Sequence, residues 1–400
     1  MSEISTSPHR IAGVRLACVA AGIRKNGRPD LTLVEICSGA TAAAVFTRNV
    51  FCAAPVTLAR RHLAAAMPRL LVINAGNANA GTGEQGLADA LTVCQEAGAR
   101  LNCAADAVLP FSTGVIGQRL PAEKLVSALS PAIAELRDDA WEAAAHGIMT
   151  TDTVPKLFSA RVDTAHGPCH ITGITKGAGM IKPDMATMLA FIATDAKIGQ
   201  SDLQILVSEL ADRSFNRITI DGDTSTNDAC ILIASAQGPT LSPASPDWPS
   251  FRAALEGVFC ELARAIVRDG EGATKLVTVD VRGGQAEADC LRAAYAVAES
   301  PLVKTALFAS DPNWGRILAA VGRSGASGLV LTDIDIAIGG VRIVAGGEPV
   351  PGYDEADVAR VMAGAEYTIE VRIGQAATHA TVLTCDFSYD YVKINAEYRS

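Results

Sequence analysis

The stretch 176-KGAGMIKPDMATMLAFIATDA-196 places one hydroxyl residue, Thr187, between a flexible approach and an apolar run. Two glycines and a proline precede Met185-Ala186-Thr187, and the residues that follow are as apolar as a buried strand. Because glycine and proline mark turns and loops, the hydroxyl is predicted to lie at the mouth of a strand. From these residues alone, Thr187 is most simply the first β-branched residue of that strand.

A second interpretation of Thr187 is chemical. A threonine hydroxyl is a poor nucleophile without a base, and one solution makes the threonine a chain terminus whose own α-amine is the base. The α-amine has an unperturbed pKa of about 7.7–8.0, so a useful fraction is neutral at physiological pH. Creating that terminus requires cutting the Ala186–Thr187 bond, and a strained Gly/Pro approach is suited to presenting it.

Short apolar runs alternate with helical patterns along the rest of the chain. The predicted strands are 31-LTLVEI-36, 70-LLVINA-75, 187-TMLAFIAT-194, 275-KLVTVDV-281 and 367-YTIEVRI-373. The predicted helices are 120–140, 202–215, 250–267 and 354–365. This mixture predicts an α/β or layered α+β fold with substantial sheet. The Pro/Ser-rich segment 238–250 is predicted to be a surface loop, too short to separate independent domains.

The composition argues against several classes of protein. Of 400 residues 19% are charged, the formal net charge is −9 and no Lys/Arg run is present, so a nucleic-acid surface is not expected. No apolar run reaches the roughly 18 residues that span a bilayer, and the N-terminus lacks an apolar signal region, so we expect a cytoplasmic protein. Cysteines in apolar runs, such as Cys18 and Cys230, are predicted to be small buried hydrophobes rather than disulfide partners or zinc ligands.

Nucleotide and metal motifs are missing from the sequence. The GAG at 177–179 lacks the third glycine of a dinucleotide turn, and 270-GEGATKL-276 lacks the GxxxxGK[ST] order that cradles phosphate. The acidic segment 221-DGDTSTND-228 is predicted to be a polar turn between two strands, 217-RITI-220 and 229-ACILIA-234, in preference to a calcium loop. A metal or nucleotide enzyme is therefore not expected.

Other blocks, together with 176–196, carry a specific resemblance. They are 73-INAGNANAGTG-83, 112-STGVIG-117, 149-MTTDTVPK-156, 216-NRITIDGDTSTND-228, 268-RDGEGATK-275, 311-DPNWGR-316 and 391-YVKINAEYRS-400. In this order, and over nearly the whole chain, the sequence resembles the glutamate N-acetyltransferase family of arginine biosynthesis, also called ornithine acetyltransferase (ArgJ). The stretch 176–196 looks like the self-cleavage segment of that family.

The resemblance implies a fold and a mature form. The fold is layered α/β, with mixed sheets packed against helices, of the self-processing N-terminal-nucleophile type. Cleavage would give an α chain, 1–186, and a β chain, 187–400, which form one intertwined unit. Two α and two β chains are expected to assemble into a heterotetramer.

The resemblance also implies the roles of individual residues. Thr187 matches the nucleophile, which becomes a terminus by cleavage after Ala186. Thr113 and Gly114 match the oxyanion-hole pair, whose hydroxyl and backbone N–H stabilise the charge that attack places on oxygen. The substrate-binding positions are matched by Thr150, Lys176, Thr187, Glu271, Asn395 and Ser400. The lysine, asparagine and hydroxyl types suit a carboxylate, whereas Glu271 suits an ammonium group.

Two positions depart from the family pattern. The family commonly has threonine at the end of the chain and asparagine before Met-Ala-Thr, and this chain has Ser400 and Asp184. Serine keeps the hydroxyl, so the substrate contact is expected to survive. Asp184 adds a charge beside the cleavage site.

The implied reaction is acetyl transfer. Thr187 takes the acetyl group from N2-acetyl-L-ornithine, L-ornithine leaves, and L-glutamate accepts the group from acetyl-Thr187 to give N-acetyl-L-glutamate, in a ping-pong sequence. We expect small-molecule substrates, no nucleic acid, no membrane and no metal or nucleotide cofactor. Acetyl-CoA is a second donor for some family members, and no residue here decides that point.

Two other classes of function stay open. The same scaffold with water as the acceptor would be an amidase or aminopeptidase, and its acetyl-enzyme would hydrolyse quickly without glutamate. A binding protein that kept the fold but never cleaved would run as an intact chain on a denaturing gel.

Overall fold

The computed structural model describes residues 4–24, 27–182 and 188–397, and its contacts divide the chain into two compact units. The first unit contains residues 1–177, 182–216 and 224–266, and the second contains 178–181, 217–223 and 267–400. The segment 238–250 lies inside the first unit, so it separates no domains, as predicted.

The first unit is built from two sheets and six helices among its described residues. Its strands are β1 (Ile4–Ser5), β2 (Val14–Val19), β3 (Leu31–Ile36), β4 (Thr41–Phe46), β5 (Leu70–Asn77), β6 (Val108–Val115), β7 (Lys156–Thr164), β8 (Gly167–Lys176), β9 (Leu189–Thr194) and β10 (Ala229–Ala234). Its helices are α1 (Ala54–Ala65), α2 (Gly83–Leu101), α3 (Ala122–Ala134), α4 (Trp141–Gly147), α5 (Gln200–Arg213) and α6 (Trp248–Arg268), the last of which ends two residues into the second unit.

The two sheets of the first unit share a core. One sheet has the strand order β1-β7-β8-β9-β10-β4 and the other has the order β2-β3-β5-β6. Adjacent strands are antiparallel except for the parallel pairs β9/β10 and β5/β6. Apolar side chains of both sheets pack together, and the rings of Phe111 and Phe191 meet edge to face with centroids 5.1 Å apart. Strands β9 and β10 have only buried residues, which explains their continuous apolar sequences.

The second unit is one sheet with helices packed on it. Its strands are β11 (Leu276–Arg282), β12 (Asp335–Ile338), β13 (Val341–Ala345), β14 (Glu348–Pro349), β15 (Glu366–Arg372) and β16 (His379–Cys385). Its helices are α7 (Glu287–Ala298), α8 (Pro301–Ala309), α9 (Trp314–Gly322), α10 (Glu355–Met362) and α11 (Tyr389–Ala396). The strand order is β14-β13-β12-β15-β11-β16. Alternating apolar residues of β15 face the core, to which α7, α8, α9 and α10 also contribute. Mixed sheets packed with helices confirm the predicted fold class.

The predicted elements are present, and their ends differ by a few residues. Strand β3 has the predicted bounds, and β9 begins at Leu189 within the predicted 187–194. The helix predicted over 120–140 ends at Ala134. It stops because Arg137 exchanges two backbone hydrogen bonds with Leu16 of β2, which removes these groups from any helical ladder.

Two further predictions need correction. Residues 217–220 form no strand; Arg217 is the last residue of a 3₁₀ turn, and Ile218 makes an isolated bridge to Leu383. The ten cysteines all lie in the described part of the chain and are free thiols. Cys230 is buried as predicted, whereas Cys18, near the end of β2, is only half-buried.

Membrane-spanning helices and metal-binding clusters are both absent from the described residues. None of the helices within 4–24, 27–182 and 188–397 is both long and apolar enough to cross a membrane. In the same ranges, no group of three or more His, Cys, Asp or Glu side chains is placed to hold a metal ion.

Candidate active site

The predicted oxyanion pair lies at the carboxyl end of β6. This strand runs parallel to β5, with Gly114 opposite Gly76 and an irregular register at Asn77. Gly114 has a φ of +133°, and a Cβ there would lie 2.3 Å from the Gly76 carbonyl carbon and 2.6 Å from the Asn77 nitrogen. Only glycine permits so close an approach of two backbones. Thr113 beside it is buried, with 8% of its surface exposed.

Buried amide side chains hold these strand ends in place. Asn74 Nδ2 donates to the carbonyl of Asn77 over 2.8 Å, and the Ser112 hydroxyl donates to Asn74 Oδ1. Asn227, just before β10, donates through Nδ2 to the carbonyls of Ala78 (2.6 Å) and Ser112 (3.0 Å). The Ser112 carbonyl belongs to the peptide that leads into Thr113, so Asn227 helps to fix the orientation of the oxyanion pair.

A second buried group, Asp152, binds the backbone at Thr150 and just after Lys176, two positions predicted to contact substrate. Its Oδ2 accepts from the backbone N–H of Thr150 over 2.9 Å, and its Oδ1 accepts from the N–H of Gly177 and from Lys156 Nζ, both over 2.7 Å. Burial alone would raise the pKa of Asp152, but the charges of Lys176 and Lys156 and the Gly177 N–H together lower it. Asp152 is therefore an ionised carboxylate at neutral pH.

Lys176 ends β8 next to the strand that follows the predicted nucleophile. It is buried, with 9% exposed, and lies opposite Leu189, the first residue of β9. The N–H of Ala229, at the start of β10, donates to the carbonyl of Met188 over 2.9 Å. The described chain resumes at Met188, so Thr187 lies outside the described residues, as do Ala186, Asp184 and Ser400.

Asp228 is a buried acid beside Lys176. Burial raises the pKa of Asp228 well above its usual value, although Ser225 and the charge of Lys176 oppose the shift. Its Oδ2 has no hydrogen-bond partner among the described residues. Burial therefore favours the neutral form of Asp228. Asn227 therefore contacts the end of β6, and the adjacent Asp228 lies near Lys176 at the end of β8.

The second unit contains Glu271 and Asn395, the other two described residues that are predicted to contact substrate. Glu271 is buried, with 7% exposed, and its Oε2 accepts from Asn395 Nδ2 over 2.9 Å. The N–H of Glu271 donates to the Ala178 carbonyl over 2.8 Å. A Cβ added at Gly179 would lie 2.3 Å from Glu271 Oε2, so glycine is required to let the carboxylate lie against the backbone.

Asp221 anchors the backbone next to Glu271. Its two oxygens accept from the N–H groups of Met180 (2.6 Å) and Ile181 (2.8 Å), and Met180 has a positive φ of 55°. Burial raises the pKa of Asp221. Burial, together with the charges of Asp221 and Glu271, also raises the pKa of Tyr391. Asp221 and Glu271 therefore both lie against the backbone of residues 178–181.

The predicted residues that the structure describes are divided between the two units. Thr113, Gly114, Thr150 and Lys176 belong to the first unit, while Glu271 and Asn395 belong to the second and contact each other directly. Asp152, Asn227 and Asp221 were not predicted from the sequence as site residues. A signal was present, because each is a polar residue in a block that carries the family resemblance.

Known proteins are similar to this chain over most of its length. A sequence model of the ArgJ family matches residues 15–400. The arginine biosynthesis bifunctional protein ArgJ of Methylococcus capsulatus is 52% identical over 402 residues, which cover 100% of this chain and 98% of that protein. The protein with the same name from Psychrobacter arcticus is 51% identical over 393 residues, covering 98% and 97%. A crystal structure of the Bacillus halodurans protein of that name covers 51% of this chain and 96% of that chain, with 41% identity and a TM-score of 0.49.

Proposed function

The chain belongs to the ArgJ family, and from that premise we propose that it moves an acetyl group from N2-acetyl-L-ornithine to L-glutamate through an ester on Thr187. The protein is accordingly an enzyme of arginine biosynthesis. The observation that carries the proposed mechanism is the arrangement at one end of the first unit. There Asn227 binds the peptide before Thr113, and the adjacent Asp228 lies beside Lys176, next to the start of β9.

The proposed chemistry has two halves. The Thr187 hydroxyl attacks the acetyl carbonyl of N-acetylornithine, with its own α-amine as the base, and the C–N bond breaks to release ornithine. Glutamate then attacks the acetyl ester through its α-amine and regenerates the hydroxyl. In both halves a tetrahedral oxyanion forms, and the Thr113 hydroxyl and the Gly114 N–H are the donors we assign to it. The relay uses no metal or nucleotide.

The α-amine is available only after the Ala186–Thr187 bond is cut. The sheet order β8-β9-β10 then places β9, from the β chain, between β8 of the α chain and β10 of the β chain. All six residues of β9 are buried, and β8 pairs with it along its full length. This buried apolar area and the backbone ladder would keep the two chains together after cleavage.

Charge supports the choice of substrates. Lys176 in the first unit suits an α-carboxylate, which N-acetylornithine and glutamate share. Glu271 suits the side-chain ammonium of ornithine. Asn395 Nδ2 donates a hydrogen bond to the Glu271 carboxylate and so fixes the orientation of that group. Hydrogen bonds to charged groups are each worth about 1.5–3 kcal/mol. Removing either charge should therefore raise KM strongly.

Steady-state kinetics with purified protein test the proposal. Formation of N-acetylglutamate from N-acetylornithine and glutamate should show parallel double-reciprocal lines, because acetyl-Thr187 separates the two halves. Thr187→Ala should be inactive, and Thr187→Ser, which keeps a hydroxyl, should retain part of the activity. Acetate release at the same rate with and without glutamate would instead identify an amidase. Absence of any transfer by a cleaved wild type would refute the proposal.

Three finer points stay predictions. Acetyl-CoA in place of N-acetylornithine, in the same assay, would show whether it is a second donor. Sedimentation or light scattering would test the heterotetramer of two α and two β chains. Cell fractionation would test the cytoplasmic location.

A further inference from the structure

We propose that Asp152 is a positioning residue for the acetyl transfer, because it fixes the backbone at the two substrate-binding positions Thr150 and Lys176. The inference rests on the proposed function. It adds a residue to which neither the family resemblance nor the relatives assign a role.

The burial and the hydrogen bonds of Asp152 are those expected of a residue that positions the backbone. The Asp152 side chain is 0% exposed and Lys156 is 1% exposed. One carboxylate oxygen accepts from the Thr150 N–H at 2.9 Å, and the other accepts from the Gly177 N–H at 2.7 Å. Gly177 follows Lys176 directly, so the peptide that leaves Lys176 is bound by the same carboxylate that binds Thr150. Asp152 thus binds the backbone at Thr150 and just after Lys176, and so fixes the positions from which both side chains extend.

Charge balance alone would not require this arrangement. A buried ion pair can often be replaced by apolar residues with little loss of stability, whereas removal of one partner is costly. If Asp152 served only to neutralise Lys156, any acceptor on its Lys156 side would suffice. Instead both of its oxygens bind backbone N–H groups, at positions 150 and 177, that are 27 residues apart in sequence. Gly177 also has a φ of +152°, a conformation that needs an anchor because glycine is intrinsically free.

The experiment compares Asp152→Asn with the double variant Asp152→Asn/Lys156→Met. Asparagine offers one acceptor oxygen in place of two, so at most one of the two backbone groups keeps a full partner. The double variant also removes the buried charge of Lys156 and should recover stability. Asp163→Asn is the matched control, because Asp163 is an exposed carboxylate paired with Arg161. Each full-length protein is checked for cleavage by intact mass, for stability in urea, and for kcat and KM with both substrates.

A positioning role has a distinct kinetic signature. We expect KM to rise roughly 10- to 100-fold in both the single and the double variant, which is the loss of affinity expected when one hydrogen bond to a charged group is lost. The change in kcat should be smaller. A purely structural role would lower the apparent kcat with the folded fraction and leave KM unchanged. Recovery of the wild-type KM in the double variant, alongside its stability, would overturn the inference.

Other outcomes are also decisive. An Asp152→Asn protein that is cut, stable and kinetically equal to Asp163→Asn would refute the positioning role. If the wild type itself transfers no acetyl group, the proposed function fails rather than the role of Asp152.

Discussion

Replacing Gly114 with alanine tests the backbone geometry assigned to the oxyanion pair. The methyl group would lie 2.3 Å from the Gly76 carbonyl carbon, 2.6 Å from the Asn77 nitrogen and 2.7 Å from the Gly76 Cα. All three are backbone atoms, so no side-chain rotation relieves the contact. The strand ends must separate, or Gly114 must leave its φ of +133°.

The expected cost has two parts. A non-glycine residue held in such a conformation costs about 1–3 kcal/mol. Forcing an extra methyl group into packed structure costs about another 1–3 kcal/mol. Gly117→Ala is the matched control in the same block, since Gly117 has a φ of +79° but nothing within 4 Å of its added Cβ. It should show the first cost without the second.

Urea unfolding and transfer kinetics provide the measurement. Gly114→Ala should be less stable than Gly117→Ala by about 1–3 kcal/mol, the cost of the added contact. Its kcat should fall by about 10²–10³-fold, the usual loss when one oxyanion donor is removed or displaced. Gly117→Ala should keep its kcat within a few-fold of the wild type. Equal stability and equal kcat of the two variants would refute the close approach and the oxyanion role together.

Three further predictions follow from the buried polar groups. Asn227→Ala should destabilise the protein by about 1–3 kcal/mol for each of the two carbonyls left unsatisfied. It should also lower kcat by a larger factor than it changes KM. An unchanged kcat would show that Asn227 does not orient Thr113 and Gly114 for the reaction. Because the pKa of Asp228 is raised above 3.8, the native state binds more protons than the unfolded state above that pH, and wild-type stability falls as pH rises. Asp228→Asn should remove this fall. The free energy of unfolding of the variant minus that of the wild type, measured in urea, should therefore increase from pH 4 to 8. A difference that does not change with pH would contradict a raised pKa of Asp228. Gly179→Ala should push the Glu271 carboxylate away and raise KM for N-acetylornithine, while a KM equal to that of the wild type would show that Glu271 does not bind the substrate.

The elements that could be predicted are those with a strong local pattern. β3 has the predicted bounds because its apolar run is closed by clear turn residues, and β9 was expected from its uninterrupted apolar sequence. The sheet orders could not be predicted, since β4 pairs with β10 across more than 180 residues and no local rule encodes that pairing. For the same reason the early end of α3 was missed: it depends on the bridge from Arg137 to β2.

The candidate site shows the same division. The resemblance supplied Thr113, Gly114, Thr150, Lys176, Glu271 and Asn395. The resemblance did not predict the residues that position these six, because in sequence an aspartate such as Asp152 cannot be distinguished from a solvent-exposed charge. Its role becomes visible only when Thr150 and Gly177, distant in sequence, are found on its two oxygens. No local pattern predicted that Asp228 is buried, with no hydrogen-bond partner for its Oδ2 among the described residues.

The central claim, a self-generated threonine nucleophile that carries the acetyl group, is tested most directly by intact mass under denaturing conditions. Wild type and Thr187→Ala are each measured before and after brief exposure to N-acetylornithine without glutamate. We predict two wild-type fragments, 1–186 and 187–400, with one acetyl group gained by the second fragment, and a single unmodified chain for the variant. An uncut wild-type chain, or a cut one whose second fragment never gains the acetyl group, would contradict the account.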